Sequence, residues 1–331
     1  MRQGDKPACP RDFPGNRIMR IASIDIGTNT FRLLVSETDG DGSLRKLYVG
    51  REITRLGEGL TPERMLISQD AMARALRTLA GFSLKLREYG VGKLRAVATS
   101  AVRESSNGPD FVRKVGEETG IPVDVISGDE EARLTVRGVL NSVRFDTPGC
   151  LIFDIGGGST EYVYVNEGEI LNIESTGLGV VRLTEKYLAD GADTESEVEA
   201  LDAHVGSVIM ESLPSFPRGG DETLTLIGTA GTPTTLAAIE LRLAAYNPAL
   251  VNNYVLTREK IERTLRTVLS LPRAERTKIP GLEQGREDLI VSGTAVVLKT
   301  MERFMAHRLV VSDAGLLEGV AYNIIDGGGR R

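Results

Sequence analysis

Residues 153–165 read FDIGGGSTEYVYV. Three glycines after an apolar strand suggest a backbone loop that wraps an anion, yet Asp154 and Glu161 flank it. Carboxylates repel phosphate, so either a cation lies between them and the ligand, or the loop binds no phosphate. Two common phosphate loops fail the comparison. A nucleotide P-loop ends in Lys-Ser/Thr and opens a helix, and GGGSTE has no lysine. A dinucleotide-binding turn also opens a helix, whereas TEYVYV alternates and is rich in β-branched and aromatic residues, as strands are. The loop is therefore expected at the tip of a β-hairpin. There Gly156, Gly157, Gly158, Ser159 and Thr160 supply backbone N–H groups as an anion-binding nest.

The pattern occurs twice. RIASIDIGTNTFRLLV (20–35) and CLIFDIGGGSTEYVYV (150–165) share an apolar strand, Asp-Ile-Gly, a small polar turn and a second strand. Each copy continues into a third strand, SLRKLYVG or GEILNIES, and then into helices. Gly27, Thr28, Asn29 and Thr30 make the second tip. A repeat of this length implies two similar domains, and two tips describe a ligand held in the cleft between them. After the first copy, Met72, Leu76, Leu79, Phe82, Leu86 and Tyr89 form one stripe of a helix over 68–89. A strand (LRAVAT), a helix over 109–118, a strand (PVDVIS) and a helix from about Asp129 follow. After the second copy, helices are expected near 180–189 and 194–213. The strand TLTLIG then enters a helix near Thr232, with Pro233 at its first position. Helices cover much of 257–306, and the strand HRLVVS leads to a last helix capped by Asp313. The turn in IGTAGTPTTL (227–236), which contains Gly231, presents further amides to an anion, and SDAGLLEGV (312–320) repeats that arrangement.

The bulk numbers set limits. A chain of 331 residues is long enough for two cores, and 41% hydrophobic with 26% charged residues is ordinary for a globular protein. Residues 1–18 are rich in Pro, Gly and charge, lack an apolar core, and are expected to be a disordered extension rather than a signal peptide. No apolar run approaches the length of a membrane helix. Two cysteines, Cys9 and Cys150, are too few for a disulfide framework or a zinc site and suit a reducing cytoplasm. Two histidines, His204 and His307, offer no imidazole cluster, so a metal would be held by oxygens, which favours Mg²⁺ or Mn²⁺. A net charge of −6 without a lysine-rich run argues against nucleic acid as a partner. A polyanionic ligand then needs a local arginine cluster.

Taken together, IDIGTNTFRLLV, REITRLGEGL, AVATSAVRES, ISGDEEARL, FDIGGGSTEYV, STGLGVVRLTE, IGTAGTPTTLAAI and VSDAGLLEGV resemble the exopolyphosphatase/guanosine pentaphosphate phosphohydrolase family, in the family's order and over about residues 20–326. That family lies in the actin-like ATPase superfamily. The resemblance implies an α/β fold of two ribonuclease-H-like domains, 19–129 plus 312–331 and 130–311, with the active site in the cleft. It also implies a last helix that crosses back to the first domain, and a homodimer. Longer family members carry a further C-terminal helical region related to HD-type phosphohydrolases, so chain-length preference stays open. By resemblance Asp154 and Glu161 hold Mg²⁺ directly or through water, and Asp25, their equivalent in the first hairpin, could face the same metal. Glu131, at the start of the helix EARLTVRGVL, is implied as the catalytic base, with Glu130 only a first-turn residue. Arg103 is expected to clamp a substrate phosphate, and Arg51 and Arg55 to add positive potential. The implied activity is release of the terminal phosphate from inorganic polyphosphate. Alternatives are hydrolysis of guanosine pentaphosphate, transfer of phosphate from polyphosphate to ADP, a superfamily kinase, or binding without catalysis.

Overall fold

The computed structural model describes residues 19–38, 44–61, 64–188, 191, 193–219 and 224–328; the extension expected to be disordered lies outside them. The first half runs β1 (Met19–Ile26), β2 (Thr30–Thr38), β3 (Arg45–Ile53), α1 (Gln69–Glu88), β4 (Lys93–Ala98), α2 (Ser100–Glu104), α3 (Gly108–Thr119), β5 (Val123–Val125) and α4 (Gly128–Leu140). The second runs β6 (Gly149–Ile155), β7 (Thr160–Asn166), β8 (Glu169–Thr176), α5 (Val180–Tyr187), α6 (Glu195–Ser212), β9 (Leu224–Ala230), α7 (Gly231–Glu240), α8 (Pro248–Val251), β10 (Val255–Thr257), α9 (Arg258–Leu269), α10 (Ile290–Arg303), β11 (Arg308–Val311) and α11 (Leu316–Asn323).

The two sheets repeat one plan. The first has the order β3-β2-β1-β4-β5; the second reads β8-β7-β6-β9-β11, with β10 added at the edge. In both, the first three strands pair antiparallel and the next two parallel. The β1/β2 hairpin closes with Ile26 opposite Phe31, and β6/β7 closes with Ile155 opposite Thr160, so both tips hold four residues. Even the irregularities match: pairing to the third strand shifts between Val35 and Ser36 in one sheet and between Tyr164 and Val165 in the other. This is the α/β architecture of two ribonuclease-H-like domains read from the sequence echo.

Helix packing covers both faces of each sheet. The stripe of α1 buries Met72, Leu79 and Phe82, with Ala71 and Ala75, against Ile24, Ile26 and Leu33 of the first sheet. Ala132, Val136, Val139 and Val143, in and just after α4, pack on Cys150, Ile152, Val163 and Val165 of the second sheet. The opposite edge of α4 turns Leu134 toward Leu316 and Val320 of α11. Leu317 and Ala321 in α11, with Ile324 just beyond it, lie on Ile21 and Leu34 of the first sheet. The last helix therefore returns to the first half. The α4/α11 crossing is close: a Cβ on Gly319 would stand 1.8 Å from the Leu134 carbonyl oxygen, and one on Gly138 would stand 2.0 Å from that of Gly315. Only hydrogen fits at either position.

Two local expectations need correction. α7 begins at Gly231, so Pro233 is its third residue. The residue before it, Ala230, adopts φ 67° and ψ −156°, and this sharp turn starts the helix earlier than proline patterning suggests. Asp313 does not cap α11; Gly315 does, its N–H donating to Glu318 at 3.0 Å. The Asp313 carboxylate is engaged instead by the Tyr246 hydroxyl. Among the described residues, no helix is long and apolar enough to cross a membrane.

Candidate active site

Both hairpin tips open onto one cleft of about 440 Å³, lined also by the starts of α4, α7 and α11. The tips touch, with Thr28 packed on Gly157 and Gly158, and Thr28 Oγ1 lies 2.8 Å from Ser100 Oγ. Each tip is tied by one bond, Gly27 N–H to Thr30 O at 3.2 Å and Gly156 N–H to Ser159 O at 2.9 Å. Among the described residues, the amides of Thr28, Asn29, Gly157, Gly158 and Ser159 donate to no backbone carbonyl. Such unspent donors at a turn are what an anion nest requires. The side-chain oxygen of Asn29 is likewise buried without a partner.

Of the predicted phosphate-binding residues, Gly27, Thr28, Asn29, Thr30, Gly156, Gly157, Ser159 and Gly231 line the cleft. Gly158 and Thr160 do not: Gly158 lies against Ser100, and the buried Thr160 hydroxyl donates to Leu178 O at 2.6 Å.

The carboxylates divide by hairpin. Asp25 stands opposite Arg32 in the β1/β2 ladder and accepts from its Nε and Nη2 at 2.9 and 2.7 Å. The equivalent Asp154 stands opposite Glu161 in β6/β7. One aspartate is neutralised by its cross-strand neighbour, whereas the other faces a second carboxylate. Burial, then the Glu161 charge, pushes Asp154 up to about 7. Burial also raises Glu161, against donors that include Ser159 and Ser175, the latter at 2.8 Å. Glu131, with 13% of its side chain exposed, lines the cleft; burial and the nearby Glu161 raise it well above the usual carboxylate range. Glu130 turns away to Arg95 at 2.5 Å.

The predicted metal trio Asp25, Asp154 and Glu161 does not form a ready-made centre. Among the described residues, no group of three or more Asp, Glu, His or Cys is arranged to hold a metal, and Asp25 is paired with Arg32. The donor chemistry still fits a divalent cation. Glu161 is buried, Asp154 and Glu131 are partly so, and the three carboxylates repel one another; Mg²⁺ commonly takes one or two carboxylates together with substrate phosphates.

The cations also differ from expectation. Arg103 is not among the cleft-lining residues; its Nη1 donates to Glu131 at 3.1 Å and to Ile126 O at 3.0 Å. It therefore holds Glu131 rather than reaching into the cleft. Arg51 lines the cleft, but Arg55 pairs with Asp288 at 3.1 Å beside a smaller neighbouring cavity. Sequence reasoning missed Arg32, Lys46 and Arg286, all cleft-lining. Arg32 was findable, since it replaces Glu161 at the equivalent repeat position. Arg286 sits in an irregular segment with no periodicity to mark it. Its guanidinium lies on Gly231, where a Cβ would meet Nη1 at 2.0 Å. Burial and the neighbouring Arg51 bring Arg286 down to about 10, against the opposing pull of Glu283.

Known proteins carry the same plan. The chain is 32% identical over 321 residues to a bifunctional 3-dehydroquinate synthase/phosphatase of Fusobacterium nucleatum, and spans 47% of that longer protein, about half its length. It is 29% identical to Exopolyphosphatase 2 of Mycobacterium tuberculosis, with 93% of this chain and 99% of that one aligned. Among solved structures, the Aquifex aeolicus member of the Ppx/GppA family matches at 32% identity and a TM-score of 0.79, over 95% of this chain and 100% of that one. An exopolyphosphatase from Cytophaga hutchinsonii matches at 31% and 0.85, over 93% and 98%. The model of the Ppx/GppA phosphatase family matches residues 34–327, from the later part of β2 through α11, and to that family this chain belongs.

Proposed function

We propose that this chain is a metal-dependent exopolyphosphatase, hydrolysing the terminal phosphoanhydride of inorganic polyphosphate to release orthophosphate. The observation that carries this reading is one cleft with the two hairpin tips and a cluster of Arg and Lys on its walls and Glu131 at its edge. Phosphoryl transfer asks a protein mainly for positioning and charge stabilisation. The tip amides with Arg32, Lys46 and Arg286 hold the phosphates. Glu131 takes the proton of the attacking water: a bond from water oxygen to the terminal phosphorus forms, the bridging P–O bond breaks, and the shortened chain leaves. A carboxylate raised by burial is suited to that role near neutral pH, and Arg103 fixes its orientation. Asp154, with Glu161 behind it, would hold Mg²⁺ or Mn²⁺, which when bound neutralises charge developing on the phosphoryl oxygens. A cytoplasmic location and a homodimer belong to the same reading.

The test is phosphate release and ADP phosphorylation, measured side by side. The substrates are polyphosphate of several lengths, guanosine pentaphosphate and ATP, each with Mg²⁺ and with Mn²⁺. Release from polyphosphate is expected. Faster release from guanosine pentaphosphate would move the assignment to that substrate, and no product from any of them would end the hydrolase reading.

A further inference from the structure

The cation cluster of the cleft already holds an anion of the protein's own. Glu283 lies in the segment between α9 and α10, three residues before Arg286, whose N–H donates to the Glu283 carbonyl at 3.1 Å. Its Oε2 accepts from Arg286 Nε at 3.1 Å. The same oxygen lies 2.7 Å from Nη1 of Arg51, on β3 of the opposite sheet. One carboxylate oxygen thus bridges two guanidinium groups across the cleft, as a phosphate oxygen would. The three groups are not equally bound to their places. Arg286 is 10% exposed at its side chain and packed on Gly231, whereas Glu283 is 41% exposed at the mouth. The carboxylate is the member free to swing out.

We propose that Glu283 is a displaceable stand-in for a substrate phosphate, occupying Arg51 and Arg286 until a polyanion enters and takes them over. It is a specificity-setting residue. A single phosphate, or a weak anion, gains too little to evict it, whereas a chain of phosphates also gripped by the hairpin tips does. The inference rests on the proposed polyphosphate reading of the cleft.

The experiment is calorimetric titration with inorganic tripolyphosphate in metal-free buffer, where binding is read without turnover. Glu283→Gln should bind roughly tenfold tighter than wild type, the change that about 1.4 kcal/mol of removed competition produces. Glu283→Asp keeps the charge but draws it back by one methylene; it should fall between the two. Asp288→Asn is the control, because the Asp288–Arg55 pair at 3.1 Å also links the two halves but lies outside the main cleft. It should bind as wild type does. Glu283→Gln binding no tighter than wild type overturns the proposal. So does an equal gain in Asp288→Asn, which would mean that any loosened link between the halves helps. If wild type binds no tripolyphosphate either in that buffer or with Mg²⁺ added, the polyphosphate reading itself is lost and the stand-in falls with it.

Discussion

Two aspartates at matching positions have opposite environments, and each makes its own prediction. Asp154 is raised from the ordinary 3.8 to about 7 by burial and by Glu161. The folded protein therefore holds a proton there that the unfolded chain gives up between those values. Its contribution to stability is present below about pH 4 and is lost as pH rises toward 7. Metal-free wild type should lose more melting temperature between pH 5 and pH 8 than Asp154→Asn does, and added Mg²⁺ should shrink the difference. Equal slopes in a melting series would remove the unbalanced charge from the account. Glu131→Gln should lower kcat by about 10²–10⁴-fold, the usual worth of a positioned base, while tripolyphosphate still binds. Undiminished turnover would sink the base assignment. Patterning placed Glu131 at a helix start and Asp154 at a strand end, while their roles came from the family resemblance alone. It did not show the Arg103–Glu131 pair at 3.1 Å, since the pairing of a cation with a distant carboxylate is a matter of three-dimensional distance.

At the scale of elements, the crossing of α4 and α11 carries the strongest constraint. Gly138 and Gly319 let two helices meet backbone to backbone, and the clashing atoms are carbonyls that cannot rotate away. Overpacking a core costs about 1–3 kcal/mol, and Gly319→Ala belongs at the upper end or beyond. Because α4 carries Glu131 and α11 lines the cleft with Leu316 and Leu317, the variant should also lose activity in excess of its unfolded fraction. Urea melts and phosphate-release assays on the same sample check both. A stability change under about 0.5 kcal/mol, ordinary for a surface position, would mean that the helices shift freely. The sequence signalled the strands by alternation and the helices by their stripes. It did not signal the crossing: VRGVL and LLEGV each show one glycine in a helix, and only the partner's carbonyl explains it.

At the scale of the molecule, the repeat is one plan used twice with one charge inverted. The hairpin residue opposite the aspartate is Arg32 in the first half and Glu161 in the second. The duplicated plan was legible because strand alternation and the Asp-Ile-Gly turn survive in both copies. The inversion was legible too, once the copies are laid side by side, but its meaning needed the ladder that sets the two residues face to face. Arg32→Glu should undo the asymmetry. It would leave Asp25 facing a carboxylate, weaken tripolyphosphate binding by at least about tenfold, the cost of truncating a charged contact in a cleft, and lower stability. Binding equal to wild type would separate Arg32 from the phosphates.

The return of α11 also orders events during synthesis. Ile21 and Leu34 are among the first residues of the fold to leave the ribosome, yet their cover, Leu317, Ala321 and Ile324, is among the last. The first sheet must wait with one apolar face bare while nearly three hundred residues are translated. A nascent chain halted before residue 316 should bind a hydrophobic dye or a holdase chaperone, and release it once α11 emerges. The helix that closes the cleft is then also the step that ends the chain's dependence on such help.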